Sequence, residues 1–354
     1  MKKKILISTG GSGGHTIPAL ILHEHLSDNF ETIISSDLRG LKYIGKNFSQ
    51  INIINTPKLN NIILFPFNFF KILFLTIKSI ILLKKEKIDK LISTGGYMSL
   101  PLCLSARILG LDIFLIEPNF VLGKANKFYL NFSKKIFCYS NEIKNFPSDL
   151  KEKIVLIKPL VRKEFYEKKI DLNKNDKFNL LIVGGSQGAN IFDDYLKDVI
   201  IQISKRYSLK VIQQTNLNNI DNLRNFYKKN NIENHIFNFE YKFVNILHKS
   251  DLCITRAGAS TLAELSVSNI PFLAIPLPSA KDDHQFENAI YYEKRGCCWV
   301  LSQKLIEEKI EAVLLEIIGN KNDYLKKKDN LKNFNYQNTW NDVNQKILEH
   351  INEN

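Results

Sequence analysis

A histidine closes the first glycine-rich stretch, Gly10-Gly11-Ser12-Gly13-Gly14-His15. A side-chain-poor loop of this kind at a helix start lets a ligand approach the backbone and offers N–H groups to an anion. A second stretch, Gly184-Gly185-Ser186-Gln187-Gly188-Ala189, adds a hydroxyl and an amide to a turn that can hold a diphosphate. A third, Thr255-Arg256-Ala257-Gly258-Ala259-Ser260-Thr261-Leu262-Ala263-Glu264, places two hydroxyls at a helix start and a carboxylate one turn on. Hydroxyls and N–H groups there suit phosphate, and Glu264 suits the paired hydroxyls of a ribose; the spacing of Ser260 and Glu264 also reads as helix capping. Ser93-Thr94-Gly95-Gly96-Tyr97-Met98-Ser99, Glu117-Pro118-Asn119 and a proline-rich run that reaches His284-Gln285 and Asn288 complete the set. None is a GxGxxG fingerprint or a P-loop. With no Asp-x-Asp pair, neither a metal nor a cofactor is expected.

The elements that must position these residues are short apolar runs, each placed just before a motif. Residues 5–7 lead into the first glycine turn and 180–183 into the second, each turn followed by helical apolar spacing, with Pro18 suited to a first helical turn. Strand, glycine turn and helix form the unit of a parallel α/β sheet, whose ligands bind beyond the carboxyl ends of the strands. Further strands are expected at 32–35, 90–93, 113–116, 135–138, 209–212, 252–255 and 271–275. The repeat of the unit half a chain apart predicts two similar α/β domains, with 159–162 at their junction and the polar stretch 168–177 as linker.

A chain of 354 residues, 44% hydrophobic, can give each of two domains a core. Its net charge of +13 favours an anionic partner: an acidic lipid surface, a phosphorylated substrate or nucleic acid. Nucleic acid fits worst, because the basic residues are dispersed with no stacking platform. Five cysteines without a CxxC pair indicate neither a disulfide framework nor a zinc site and suit a reducing cytoplasm. The basic start Met1-Lys2-Lys3-Lys4 precedes an apolar run too short for an export signal.

Residues 62–87 are the most apolar stretch. Lys71 and Lys78 would each cost about 2.5–3.5 kcal/mol near a bilayer centre, so spanning is disfavoured. With Lys85 they recur every seven residues along one helix face, with Asn68 close by. The pattern suits a helix lying in a membrane interface and equally a crossover helix on the sheet. Phe70, Lys71, Phe74 and Lys78 are the expected docking residues.

In order and spacing, GGSGGH at 10–15, STGGYMS at 93–99, EPN at 117–119, GGSQGA at 184–189, TRAGASTLAE at 255–264 and HQxxNA at 284–289 resemble the MurG family of cell-wall glycosyltransferases. The resemblance implies an α/β, GT-B fold, with two Rossmann-like parallel-sheet domains facing a central cleft. It places an acceptor-binding and membrane-docking domain at 1–162, a UDP-sugar-binding domain at 163–335, and a last helix at 336–354 that packs back on the first. It implies inverting transfer of N-acetylglucosamine from UDP-GlcNAc to the C4 hydroxyl of the muramyl sugar in lipid I, giving lipid II. Donor contacts would fall on Ser12, Gly13, Gly14, Asn119, Arg162 and Ser186, on Glu240, on Ala259, Ser260, Thr261, Leu262, Ala263 and Glu264, and on Gln285. His15 would be the base, with Glu117 as alternative or orienting partner and Tyr97 in the acceptor pocket. Arg256 is a further candidate for the leaving-group charge. The implied setting is the cytoplasmic face of the inner membrane, held peripherally, among cell-wall synthesis proteins. The chain departs from the family at Lys158-Pro159-Leu160, before Arg162, and at Ile116 and Pro118 beside Glu117. Two other readings stay open on the same motifs: a GT-B enzyme with another lipid acceptor such as diacylglycerol, and a non-catalytic membrane-recruitment subunit.

Overall fold

The computed structural model describes residues 2–45, 51–57, 64–167, 177–185, 190–240 and 242–353. Met1–Val161 with Thr339–Asn354 forms one compact unit and Arg162–Asn338 a second. In the first unit β1 (Lys4–Ser8), β2 (Glu31–Ser36), β3 (Ile51–Ile53), β4 (Lys90–Ser93), β5 (Asp112–Glu117), β6 (Lys135–Cys138) and β7 (Ile154–Leu156) pair in parallel in the order β3-β2-β1-β4-β5-β6-β7. Parallel neighbours need crossovers, supplied by α1 (Gly13–Leu26), α2 (Phe65–Lys85), α3 (Leu100–Ile108) and α4 (Lys124–Tyr129). Helices on the faces bury the inner strands on both sides, which is why Ile5, Leu6 and Ile7 are all apolar and fully enclosed.

The second unit repeats the plan. Its strands β8 (Phe178–Val183), β9 (Leu209–Gln214), β10 (Glu233–Phe237), β11 (Leu252–Thr255), β12 (Phe272–Ala274) and β13 (Cys298–Val300) pair in parallel as β10-β9-β8-β11-β12-β13. Its helices are α5 (Glu164–Glu167), α6 (Asn190–Ser204), α7 (Ile220–Lys229), α8 (Phe243–Leu247), α9 (Ala259–Val267), α10 (His284–Glu293), α11 (Ile306–Gly319) and α12 (Lys321–Phe334). Winding reverses between β1 and β4 and between β8 and β11. Turns leaving those strands diverge, so a crevice opens between them at the carboxyl edge of each sheet.

Among the described residues, the nine inner strands are the nine apolar runs of the sequence; the four it does not announce, β3, β7, β10 and β13, are the four sheet edges. Of the expected linker at 168–177, residues 168–176 lie outside the described residues; the chain passes between units at Val161/Arg162 and Asn338/Thr339.

The amphipathicity of α2 is inverted. Asn68, Ile72, Thr76, Ser79 and Leu83 form its buried stripe, whereas Phe67, Phe69, Phe70, Leu73, Phe74, Ile77 and Ile81 are each at least half exposed. Small polar groups let it approach α3: the Ser105 hydroxyl donates to the Thr76 carbonyl at 2.8 Å. Asn68 therefore faces inward and does not join the lysines, a correction to the sequence reading. Lys71, Lys78 and Lys85 stay exposed, and the Lys78 ammonium lies 4.8 Å from the Phe74 ring centroid. By length and composition Pro66–Lys85 could cross a membrane, yet it is also the crossover that joins β3 to β4.

The last helix, α13 (Trp340–Asn352), completes the first unit by burying Val343, Ile347 and Ile351. Trp340 stacks on His25 of α1 with ring centroids 3.6 Å apart and 14° between planes. Burial pushes the His25 imidazole down to about 4, against an Asn344 hydrogen bond that pulls it up. The unfolded chain binds this proton near 6.5 and the folded unit only near 4, so stability is lost as pH falls through that window, by about 3 kcal/mol at its lower end. Denaturation of the full chain at pH 7 and pH 4.5 should show the first unit's transition weakening in acid. The His25→Phe variant should flatten that dependence, and an unchanged slope would remove His25 as its cause.

Candidate active site

The first crevice is built from the turns after β1 and β4. Gly10 and Gly11 both have positive φ, at 142° and 78°. A Cβ on Gly10 would lie 2.7 Å from Asp37 Oδ1, so this turn admits no side chain. Asp37, just past β2, draws the turn in: its Oδ1 accepts from the N–H of Gly11 at 2.7 Å and of Gly40 at 2.9 Å. Burial would raise this carboxyl, but the Gly11 N–H, the Arg39 guanidinium and the Gly40 N–H outweigh it and hold it below its usual range. Ser12 is the N-cap of α1 without a side-chain cap, so the first-turn N–H groups at Gly13 and Gly14 are not screened by a capping side chain.

His15 Nδ1 lies 2.7 Å from the Thr94 carbonyl oxygen. A carbonyl only accepts, so Nδ1 carries the hydrogen and the neutral ring keeps its lone pair on Nε2. That nitrogen is turned toward the second glycine turn, 3.5 Å from where a Gly96 Cβ would stand. Pro18 lies in the second turn of α1, deeper than the sequence suggests, because the helix already starts at Gly13. Its ring supplies no N–H to the Gly14 carbonyl, which loosens the helix end that carries His15.

Glu117, at the end of β5, is only 3% exposed and has both oxygens committed. Oε1 accepts from the Asn119 backbone N–H at 3.2 Å and its side-chain amide at 3.0 Å; Oε2 accepts from the Gly123 N–H at 2.9 Å and the Asn126 amide at 3.0 Å. Burial raises the carboxyl above its usual range against the pull of these four bonds. The arrangement shapes the 117–126 loop and aims Asn119. Asn126 extends it, its side chain lying 3.2 Å from a Cβ placed on Gly95, so the two loops fit together. Asp37 and Asn126 are site-building residues that the motifs did not single out; a lone acid after the Ser35-Ser36 strand end was the available signal for the first.

In the second unit α9 opens at the carboxyl end of β11. Its N-cap is Gly258 and no side chain caps it, so Ser260 and Glu264 do not form a capping box. Ala259, Ser260 and Thr261 are partly exposed; Leu262 and Ala263 are core residues and offer no side chain to a ligand. Glu264 is 8% exposed, and its Oε1 accepts from Arg162 Nε at 3.2 Å and Nη2 at 3.1 Å. Burial raises this carboxyl while Arg162 lowers it. Arg162 is further held by Glu164 at 3.2 Å and by the Phe165 ring, 5.1 Å from its centroid.

Arg256 is turned inward. Nη1 donates to the carbonyls of Ile275 at 3.0 Å and Pro276 at 3.3 Å, and burial depresses the group, so it braces the sheet end. The proline-rich loop is tied to the same place: Gln285 accepts from the Leu277 N–H at 3.0 Å, and Asn288 donates to the Ala257 carbonyl at 3.0 Å. Two successive left-handed residues, Asp282 and Asp283, precede α10. Glu240, past the edge strand β10, accepts from the Lys242 N–H of its own turn at 2.9 Å. Ser186 lies outside the described residues. No cluster of potential metal ligands is present among the described residues.

The sequence matches the glycosyltransferase family 28 N-terminal domain over residues 5–138 and the family 28 C-terminal domain over residues 179–342. It is 56% identical to the UDP-N-acetylglucosamine–N-acetylmuramyl-(pentapeptide) pyrophosphoryl-undecaprenol N-acetylglucosamine transferase of Pelagibacter ubique, with 100% of each chain covered. The enzyme of the same name from Rickettsia felis is 34% identical, over 90% of this chain and 91% of the other. In fold it is similar to the crystal structure of Acinetobacter baumannii MurG, with TM-score 0.77, 22% identity and 99% of each chain covered. Phytolacca americana UGT2, complexed with UDP-2-fluoro-glucose, shares the fold at TM-score 0.69 and 12% identity over 99% of each chain. Two parallel sheets, switch-point turns carrying the motifs in register, and full-length identity agree: the chain belongs to glycosyltransferase family 28 and, within it, to the MurG family that its motifs resemble.

Proposed function

We propose that the chain moves N-acetylglucosamine from UDP-N-acetylglucosamine to the C4 hydroxyl of the muramyl sugar in an undecaprenyl-diphospho-muramoyl pentapeptide, with inversion at the anomeric carbon. The substrate reading is supported by the names of its full-length relatives, and the chemistry by one observation, the His15 Nδ1–H held on the Thr94 carbonyl. A ring fixed in that tautomer can accept the C4 hydroxyl proton on Nε2 as the oxygen attacks the anomeric carbon. The bond from that carbon to the UDP oxygen breaks in the same step, and the electron pair leaves with UDP. The uncapped first turn of α9 favours the negative charge that develops. Arg162 supports Glu264 in its ionised form, ready for the ribose hydroxyls. Glu117 fits the orienting role better than that of base, because four donors already surround its oxygens.

We infer peripheral docking on the cytoplasmic face of the inner membrane through α2. Phe67 and Phe70 are 69% and 66% exposed, beside Phe74 and the exposed lysines. Each large apolar side chain moved out of water contributes about 1.5–3 kcal/mol at full burial. Lysines alongside would meet lipid phosphates.

With UDP-N-acetylglucosamine and a short-chain lipid-linked muramyl acceptor, the purified chain should release UDP and form the disaccharide; the absence of both would sink the transferase reading. His15→Ala should lower kcat by roughly 10²–10⁴-fold with little change in donor KM. Glu117→Gln should cost the first unit about 2 kcal/mol through donors left facing an amide, and reduce turnover less than His15→Ala does. A deeper loss of turnover with unchanged melting would move the base to Glu117. Phe70→Asp with Phe74→Asp should cut the fraction of protein sedimenting with vesicles several-fold, and an undiminished fraction would locate the docking face elsewhere.

A further inference from the structure

The first crevice holds a cation that none of the motifs assigns. Arg39 follows β2 by three residues, and its Nε and Nη2 donate to Asp37 Oδ2 at 2.9 Å and 2.5 Å. The guanidinium carbon lies 5.1 Å from the Tyr97 ring centroid, and Nη2 comes 3.8 Å from where a Gly11 Cβ would stand. One side chain thus lies beside both glycine turns of the switch point, near Gly11 after β1 and against Tyr97 after β4. It remains 41% exposed, with its carboxylate partner behind it almost fully buried.

This differs from an ordinary surface ion pair. Asp37 is committed inward to two backbone N–H groups as well as to Arg39, so the pair presents its positive end outward. A guanidinium has five N–H donors in a rigid fork, and two of them meet Asp37. The guanidinium also hydrogen-bonds the Tyr97 side chain, and the uncapped start of α1 that follows Gly11 adds its own N–H groups to the same crevice. An arginine already fixed by a carboxylate and a ring loses little freedom when an anion arrives.

We propose that Arg39 binds the diphosphate of the acceptor. The inference rests on the acceptor reading given above, in which the muramyl sugar is carried on a pyrophosphoryl lipid, as the names of the relatives state. A guanidinium fork matches two phosphate oxygens at once, and the glycine turns, lacking side chains, let those oxygens come close. Binding the diphosphate here would hold the muramyl hydroxyl within reach of His15, whose ring is anchored on the same second turn.

The test uses the full chain with two acceptors, a short-chain lipid diphosphate-linked muramyl pentapeptide and the same sugar on a neutral linker. With the diphosphate acceptor, Arg39→Ala should lower kcat/KM for the acceptor by roughly 10–100-fold, mainly through KM. Arg39→Lys should recover part of the loss, and KM for UDP-N-acetylglucosamine should stay within about threefold of the parent. With the neutral acceptor, parent and variants should be alike. An equal loss on both acceptors would reduce Arg39 to a structural partner of Asp37 and overturn the assignment, as would no loss on either. Arg39→Met, which keeps the stem over Tyr97, guards against a misfolded alanine variant and should behave like Arg39→Ala if the charge is what matters. Failure of the parent to use either acceptor while still binding UDP would overturn the acceptor reading, and this assignment with it.

Discussion

In a sheet whose strands all run one way, each strand must return through a crossover, so every turn leaving a carboxyl end lies on the same edge. Both sheets obey this rule, and both reverse their winding once, between β1 and β4 and between β8 and β11. The glycine turns and the helix starts that can meet phosphate therefore gather at one place in each unit without any long-range search for one another. What remains for side chains to do is to hold those turns open and to supply charge. Asp37 does the first by taking the Gly11 and Gly40 N–H groups, and Asn126 joins the 117–126 loop to the turn at Gly95.

Buried acids carry much of the remaining work, and they are kept in two different ways. Glu117 is surrounded by four neutral donors, with no ion pair among the described residues, so it serves to shape its loop. Glu264 has one oxygen on Arg162, a charged partner that offsets part of the cost of desolvation, which still raises the carboxyl. Breaking such a pair from one side leaves a charge stranded at low dielectric, which makes Arg162 and Glu264 a unit in any mutational account. Arg256, a cation of equal formal charge nearby in sequence, is consumed by backbone carbonyls.

Legibility in the sequence followed burial. Inner strands such as β1 and β8 are enclosed on both faces and show as apolar runs, whereas the edge strands β3, β7 and β13 are only three residues long and β10 opens on the polar Glu233-Asn234-His235. Candidate site residues were readable where the backbone itself is unusual, as at Gly10 and Gly11, and were missed where an ordinary acid was given its role by folding, as with Asp37. Helix α2 was readable as apolar, but which face it buries was not. Its inner stripe is chosen by close approach to α3, which favours Thr76 and Ser79 over phenylalanine, and side-chain size decides that more than hydropathy does. Leu262 and Ala263 sit inside a motif expected to meet the donor yet belong to the core, since a helix that starts at the carboxyl end of a strand must also pack against its sheet.

The first unit is made of two separate pieces of chain, Met1–Val161 and Thr339–Asn354. During synthesis the ribosome releases α1, with the His25 face that Trp340 will cover, long before it makes Trp340, Val343, Ile347 and Ile351. The whole second unit emerges in between. A nascent chain must therefore keep that greasy notch on α1 uncovered until its last residues are out, and the domain born first is the one finished last. Any clipping of the C-terminal tail would be felt at the other end of the sequence, along the helix that bears His15.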